Sequence, residues 1–129
     1  MERLLDLIPH RRPWLLLDRV VEVGQAHVTA EKRLSAGDPL LAGGLPELLV
    51  IEALAQAAAC LRGAQAGAHR GMLVQASGFT FDGRAQAGET LTLTVTRTAT
   101  LGTLHRFEGE ARAGERLIAR GQMTFAVGS

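Results

Sequence analysis

From Leu45 to Leu61 the chain is apolar at almost every position, interrupted by Glu47 near the start and by Glu52 and Gln56 in the middle. The pattern predicts a helix with Pro46 in its first turn, where the missing N–H costs nothing. It should run to about Gln65 and stop near Gly67. Because apolar residues continue through Ala57, Ala58, Ala59, Cys60 and Leu61, no rotation of this helix easily brings both Glu52 and Gln56 to water. An ionised carboxylate buried without partners is costly, so Glu52 is expected either to have a raised pKa or to find a hydrogen-bond donor. That setting makes it a candidate for acid–base chemistry.

The remaining pattern is mostly of strand type. Arg3–Ile8 reads as a short helix or turn ended by Pro9, and Trp14–Val23 as a strand. Gly24-Gln25 is a turn signal, and Ala26–Leu34 returns as the second arm of a hairpin. Ser35–Pro46 carries three glycines and two prolines and reads as a loop. After the helix, strands are predicted over Leu73–Phe81, Thr90–Thr96, Thr103–Ala111 and Leu117–Val127, with Ala113-Gly114-Glu115 as a turn. Thr90–Thr96 alternates strictly and is the clearest of them. Two strands, one long buried helix and several antiparallel strands predict a single α+β domain over residues 1–129, its sheet wrapped around the helix.

Composition narrows the function classes. The 129 residues suffice for one core. A formal net charge of +1 supplies no dominant basic field, which argues against nucleic acid as the main partner. The single cysteine, Cys60, excludes an internal disulfide and fits a reducing compartment. Met1–Asp6 lacks the apolar core of a secretory signal, and the central helix is too short and interrupted for a membrane span. A cytoplasmic protein is expected. The four histidines show no metal-ligand spacing, so no metal is expected. The serines lack a nucleophile-elbow setting, which disfavours an α/β-hydrolase mechanism. His27 and His69 are expected to face solvent, and His105 to be structural.

Three stretches together carry a family resemblance. Ile8-Pro9-His10-Arg11-Arg12-Pro13-Trp14 through Val20 resembles the N-terminal signature of the hot-dog-fold 3-hydroxyacyl-[acyl-carrier-protein] dehydratases. Leu45-Pro46, followed by Leu49 through Ala57, resembles their central helix, and Leu101 through Ala111 their late strand pair. The resemblance implies a sheet wrapped around the helix and a homodimer or higher homo-oligomer with active sites at the subunit interface. It implies a substrate held as a thioester on acyl carrier protein or coenzyme A, with no cofactor beyond the phosphopantetheine that carries it. The implied reaction is loss of water between C2 and C3 of a 3-hydroxyacyl chain. Glu52 matches the family carboxylate that protonates the leaving hydroxyl. Gln56, one turn later on the same face, is expected to orient Glu52 or to line the acyl site. Leu45, Pro46 and Leu48 stand where substrate-binding groups are expected, with N–H groups around Leu48 polarising the thioester carbonyl.

One departure stands out. The family histidine lies in a Gly-His-Phe-Pro-Gly loop before the helix, and this chain has Ala36-Gly37-Asp38-Pro39-Leu40-Leu41-Ala42-Gly43-Gly44-Leu45-Pro46 instead. Aligned without gaps, Asp38 falls at the histidine's position. With the histidine tract deleted, Asp38-Pro39-Leu40-Leu41 matches the segment before the loop. His10 and Asp38 are therefore the two candidates for the missing base. Gly-Leu-Pro and the N-terminal Pro-His-Arg look most like the dehydratase-like subgroup of aryl-polyene type. Two other functions stay open: a hot-dog acyl thioesterase in which Glu52 activates water, and a catalytically inactive acyl-carrier-binding partner subunit.

Overall fold

The computed structural model describes residues 16–37, 43–66 and 71–127. Six strands and one helix follow in chain order: β1 (Arg19–Val23), β2 (His27–Arg33), α1 (Glu47–Ala66), β3 (Gly71–Phe81), β4 (Thr90–Leu101), β5 (Leu104–Ala113) and β6 (Arg116–Val127). The strands form one sheet in the order β1-β2-β4-β5-β6-β3, with every neighbouring pair antiparallel. The chain leaves β2 near one edge, forms α1, and rejoins the sheet as β3 at the opposite edge. α1 packs on one face of the sheet, touching β1 to β5, which is the hot-dog arrangement expected from the sequence.

Side-chain alternation explains why the sheet buries that face. Leu91, Leu93 and Val95 on β4 are buried, while Thr90 and Thr96 are exposed and Thr92 and Thr94 half-buried. In register beside them, Val28 and Ala30 of β2 and Phe107, Ala111 and Met123 of β5 and β6 continue the buried layer. Against it α1 lays Val50, Ala53, Leu54, Ala57, Ala58, Cys60 and Leu61. Small alanines let the helix sit close to a strongly curved sheet without overfilling the layer between them. Lys32 also takes an inner-face position and is only 6% exposed; sequence alternation alone does not single it out from Val28 and Ala30.

The outer face carries the complementary polar set. Glu110 and Arg112, two residues apart on β5, join through Nε–Oε2 at 2.9 Å and Nη2–Oε1 at 3.2 Å. That side-chain hydrogen bond, with Arg120 adding to it, holds the Glu110 carboxyl below its ordinary value.

Every predicted strand forms in whole or in part, and β3, β4, β5 and β6 run beyond their predicted bounds, β5 to Ala113 and β6 from Arg116. β3 begins at Gly71, and β4 continues past Thr96 to Leu101. Arg97 interrupts the apolar positions of β4 beside a register shift between Arg97 and Ala99. Thr98-Ala99-Thr100-Leu101 then resumes the alternation, and pairing with β5 persists to Leu101↔Leu104. Of the predicted Trp14–Val23 strand, Arg19–Val23 is strand. The predicted Arg3–Ile8 element, His10, Asp38 and His69 lie outside the described residues. Among the described residues, no helix is long and apolar enough to cross a membrane.

Candidate active site

The site is built on α1, and the loop that leads into it is firmly seated. Leu45 N–H donates to Ala85 O at 2.9 Å. Gly44 has φ +92°, and a Cβ there would lie 2.8 Å from Arg84 Cβ and 3.0 Å from Ala85 O. Two reasons, a left-handed backbone and a close approach, therefore demand glycine. Gly44→Ala is expected to lower stability by roughly 1–3 kcal/mol, read from the denaturant midpoint. An unchanged midpoint would show that the loop is not held against residues 84–86.

Helix entry then follows. Pro46 O accepts from Leu49 N–H at 3.0 Å and Val50 N–H at 3.2 Å, which starts the intrahelical ladder. In a helix's first turn the N–H groups point outward along the axis and favour negative charge. Glu47 and Leu48 occupy this turn, and the Leu48 side chain is 79% exposed.

The two polar residues of the helix have different environments, which corrects the expectation that both are withdrawn from water. Gln56 is 1% exposed, whereas Glu52 is half-buried. The cause is depth along the helix and not rotation. Glu47 and Leu48 at its start are exposed, Glu52 is half-buried, and every residue from Ala53 to Leu61 is buried. Gln56, one turn after Glu52 on the same face, therefore lies fully inside and meets the chain at Leu16. Leu16 N–H donates to Gln56 Oε1 at 2.8 Å. Gln56 Nε2 donates to Glu52 Oε1 at 3.2 Å. Of the two responses the sequence left open for Glu52, the structure shows a hydrogen-bond donor, Gln56.

The other sequence candidates distribute as follows. Leu45 is 1% exposed and belongs to the core, so its contribution is to anchor the helix entry; Pro46 is half-buried beside it. His27 Nε2 contacts the Glu22 carboxylate within the β1–β2 hairpin, and its side chain is exposed to solvent as expected. His105 is a half-buried residue of β5, in register with Phe125 and Thr100. Sequence reasoning missed the backbone N–H of Leu16, a group that no side-chain motif reports. A concavity of about 320 Å³ lies on the outer face, lined by Thr94, Thr96, Glu108, Arg120 and Gln122 among others. It is on the side of the sheet opposite α1 and does not include Glu52.

Comparison with known proteins agrees with this architecture. Residues 2–127 match the family model described as ApeP-like, ApeP dehydratase. The chain is 35% identical over 133 residues to the 3-hydroxyacyl-[acyl-carrier-protein] dehydratase FabZ of Streptococcus uberis, covering 96% of this chain and 94% of that protein. It is also 35% identical over 132 residues to the FabZ of Natranaerobius thermophilus, covering 95% and 92%. Among solved structures, the dehydratase heterocomplex ApeI:P from Xenorhabdus doucetiae superposes with a TM-score of 0.85 at 20% identity, covering 100% of this chain and 93% of that one. A hypothetical thioesterase with coenzyme A from Streptococcus pneumoniae superposes with a TM-score of 0.73 at 12% identity, covering 86% and 85%.

Proposed function

The chain belongs to the ApeP-like family of 3-hydroxyacyl-[acyl-carrier-protein] dehydratases, and from that premise we propose that it acts on 3-hydroxyacyl thioesters held on the phosphopantetheine of an acyl carrier protein. The pathway would be fatty-acid or polyketide and aryl-polyene type biosynthesis. The observation that carries the reading is Glu52, a half-buried carboxylate in the largely apolar middle of α1, held by Gln56 at 3.2 Å.

The chemistry balances as an elimination. The thioester carbonyl accepts from N–H groups in the first turn of α1 near Leu48, which stabilise the negative charge that develops on its oxygen. A base removes the C2 proton. The C3–O bond breaks as Glu52 delivers a proton to the hydroxyl, and water leaves as the C2=C3 double bond forms. His10 and Asp38 are the candidates for the base within this chain.

A partner subunit is part of the proposal. Among the described residues β3 pairs only with β6, so its other edge is open over an eleven-residue strand. Met72 and Val74 on that strand are 69% and 51% exposed. A long apolar edge of this kind is a template for another strand, which supports a dimer joined through β3. The same edge supports a second reading, in which this chain is one half of a heterodimer and the other half supplies the base.

One assay tests the reading. The purified chain is given a 3-hydroxyacyl carrier thioester and the products are followed by mass. Loss of one water is the expected result. Release of free acid would instead identify a thioesterase, and bound but unchanged substrate a non-catalytic partner subunit.

A further inference from the structure

We propose that a second copy of this chain pairs along the open edge of β3 with Ala76 on the two-fold axis, Gln75 of one copy facing Ser77 of the other. The inference rests on the dimer through β3 proposed above and fixes which residues meet in it.

Of the two edges of the sheet, β3 is the one built to pair. β1, at the other edge, is five residues long, breaks register between Val20 and Glu22, and carries charge at Arg19 and Glu22. Short length, a bulge and charge each blunt an edge. β3 runs for eleven residues without a charge. Its two faces are sorted by polarity. Leu73, Ala76 and Phe81 stand in register with Phe125, Met123 and Ala119 of the inner layer, and Gln75, Ser77 and Thr80 with Thr124, Gln122 and Arg120 of the outer face. The Phe79 ring lies on the inner side as well. A Cβ on Gly121 would come within 2.3 Å of it, and Gly121 shares a face with Met123 two residues on. Yet Ala76 is exposed, and Leu73, Phe79 and Phe81 are only half-buried. The helix of the same chain therefore leaves this stretch of the inner layer uncovered.

Two features set the register. A second copy that continues the sheet with apolar face beside apolar face is related by an axis perpendicular to the sheet. Residues directly opposite each other then share a face, so within a regular stretch their numbers differ by an even count and the axis passes through a residue. The second feature is the spacing of the irregularities. β3 shifts register between Leu73 and Gln75, at Val74, and between Ser77 and Thr80, where Gly78 has φ +64°. The regular stretch between them is Gln75-Ala76-Ser77, and its centre is Ala76. An axis there pairs Gln75 with Ser77 of the second copy and opposes the bulge at Val74 to the bulge at Gly78. It also brings Leu73 of one copy beside Phe79 of the other, covering side chains that the single chain leaves half-open. An axis at Gln75 or Ser77 would instead set Val74 or Gly78 against Ala76 and break the ladder at its centre.

Cysteine cross-linking reads this register. Cys60 is the one cysteine of the chain and is fully buried, so an introduced thiol reacts alone. Directly opposite Cα atoms in an antiparallel pair lie about 4.5–5.5 Å apart, within the span of a disulfide. Diagonal neighbours lie about 7–8 Å apart, beyond it. With an added oxidant, most of the Ala76→Cys chain should migrate at twice the mass of one chain on a non-reducing gel, and return to single mass with reductant. Gln75→Cys and Ser77→Cys should each stay at single mass alone and cross-link when the two are co-expressed. Ala76 is exposed in the single chain, so its substitution leaves the fold intact, which circular dichroism checks.

Light scattering of the unsubstituted chain separates failure of the dimer from failure of the register. A mass of one chain overturns the dimer and the proposal together. A dimer in which Gln75→Cys or Ser77→Cys cross-links with itself in place of Ala76→Cys keeps the dimer and refutes the axis. A dimer in which none of the three cross-links refutes pairing through this stretch of β3.

Discussion

Glu52→Gln should reduce the dehydration rate by roughly 10²- to 10⁴-fold, the range over which a positioned acid–base group contributes. Glutamine has the volume of glutamate and still offers Gln56 an acceptor, but it neither delivers nor takes a proton. The loss should fall on kcat, with KM nearly unchanged, because the group acts in the transition state more than in binding. Folding should be undisturbed, since position 52 is half-buried and an uncharged isostere fits there. Steady-state kinetics on a carrier-bound 3-hydroxyacyl substrate, with circular dichroism alongside, checks both statements. A variant that dehydrates at the wild-type rate would remove Glu52 from the chemistry and with it the proposed mechanism.

The largest effect on stability is expected from Phe107→Ala. Phe107 is fully buried at the centre of the inner face. Its ring meets Phe125 edge-on, with centroids 5.6 Å apart and planes at 89°, the arrangement in which the positive edge of one ring faces the negative face of the other. Its register partner on β6 is Met123, which is also fully buried. Truncation removes the ring's transfer energy and leaves a cavity that paired strands cannot close. The expected cost is about 3–5 kcal/mol, a large share of the roughly 5–15 kcal/mol that holds a typical domain together. The corresponding fall in melting temperature is on the order of 10–20 °C, compared at equal protein concentration. A loss below about 1 kcal/mol would mean that the sheet does not close over this ring.

Both predictions draw on information that the sequence already carried in part. Strict alternation at Thr90–Thr96 is legible because a sheet with one wet face sorts its side chains by polarity at every second residue. The central helix is legible because a strand has no use for seventeen largely apolar residues from Leu45 to Leu61. The Leu45-Pro46 entry and Glu52 are the sequence features on which the proposed site rests. By contrast, the end of β4 at Leu101 was not read from the sequence. Arg97 stands at an apolar position and interrupts the alternation, although Thr98-Ala99-Thr100-Leu101 resumes it and the ladder with β5 runs through.

What the sequence determined by itself was the set of elements, their order and the helix that bears the carboxylate, because these follow from local periodicity and turn chemistry. Tertiary structure alone decided how the two polar groups of that helix divide their work. Glu52 is half-buried while Gln56 is sealed inside, and the group that bonds the Gln56 carbonyl is a backbone N–H 40 residues away. A backbone donor is the same in every residue but proline, so only the fold that brings Leu16 to α1 could reveal it.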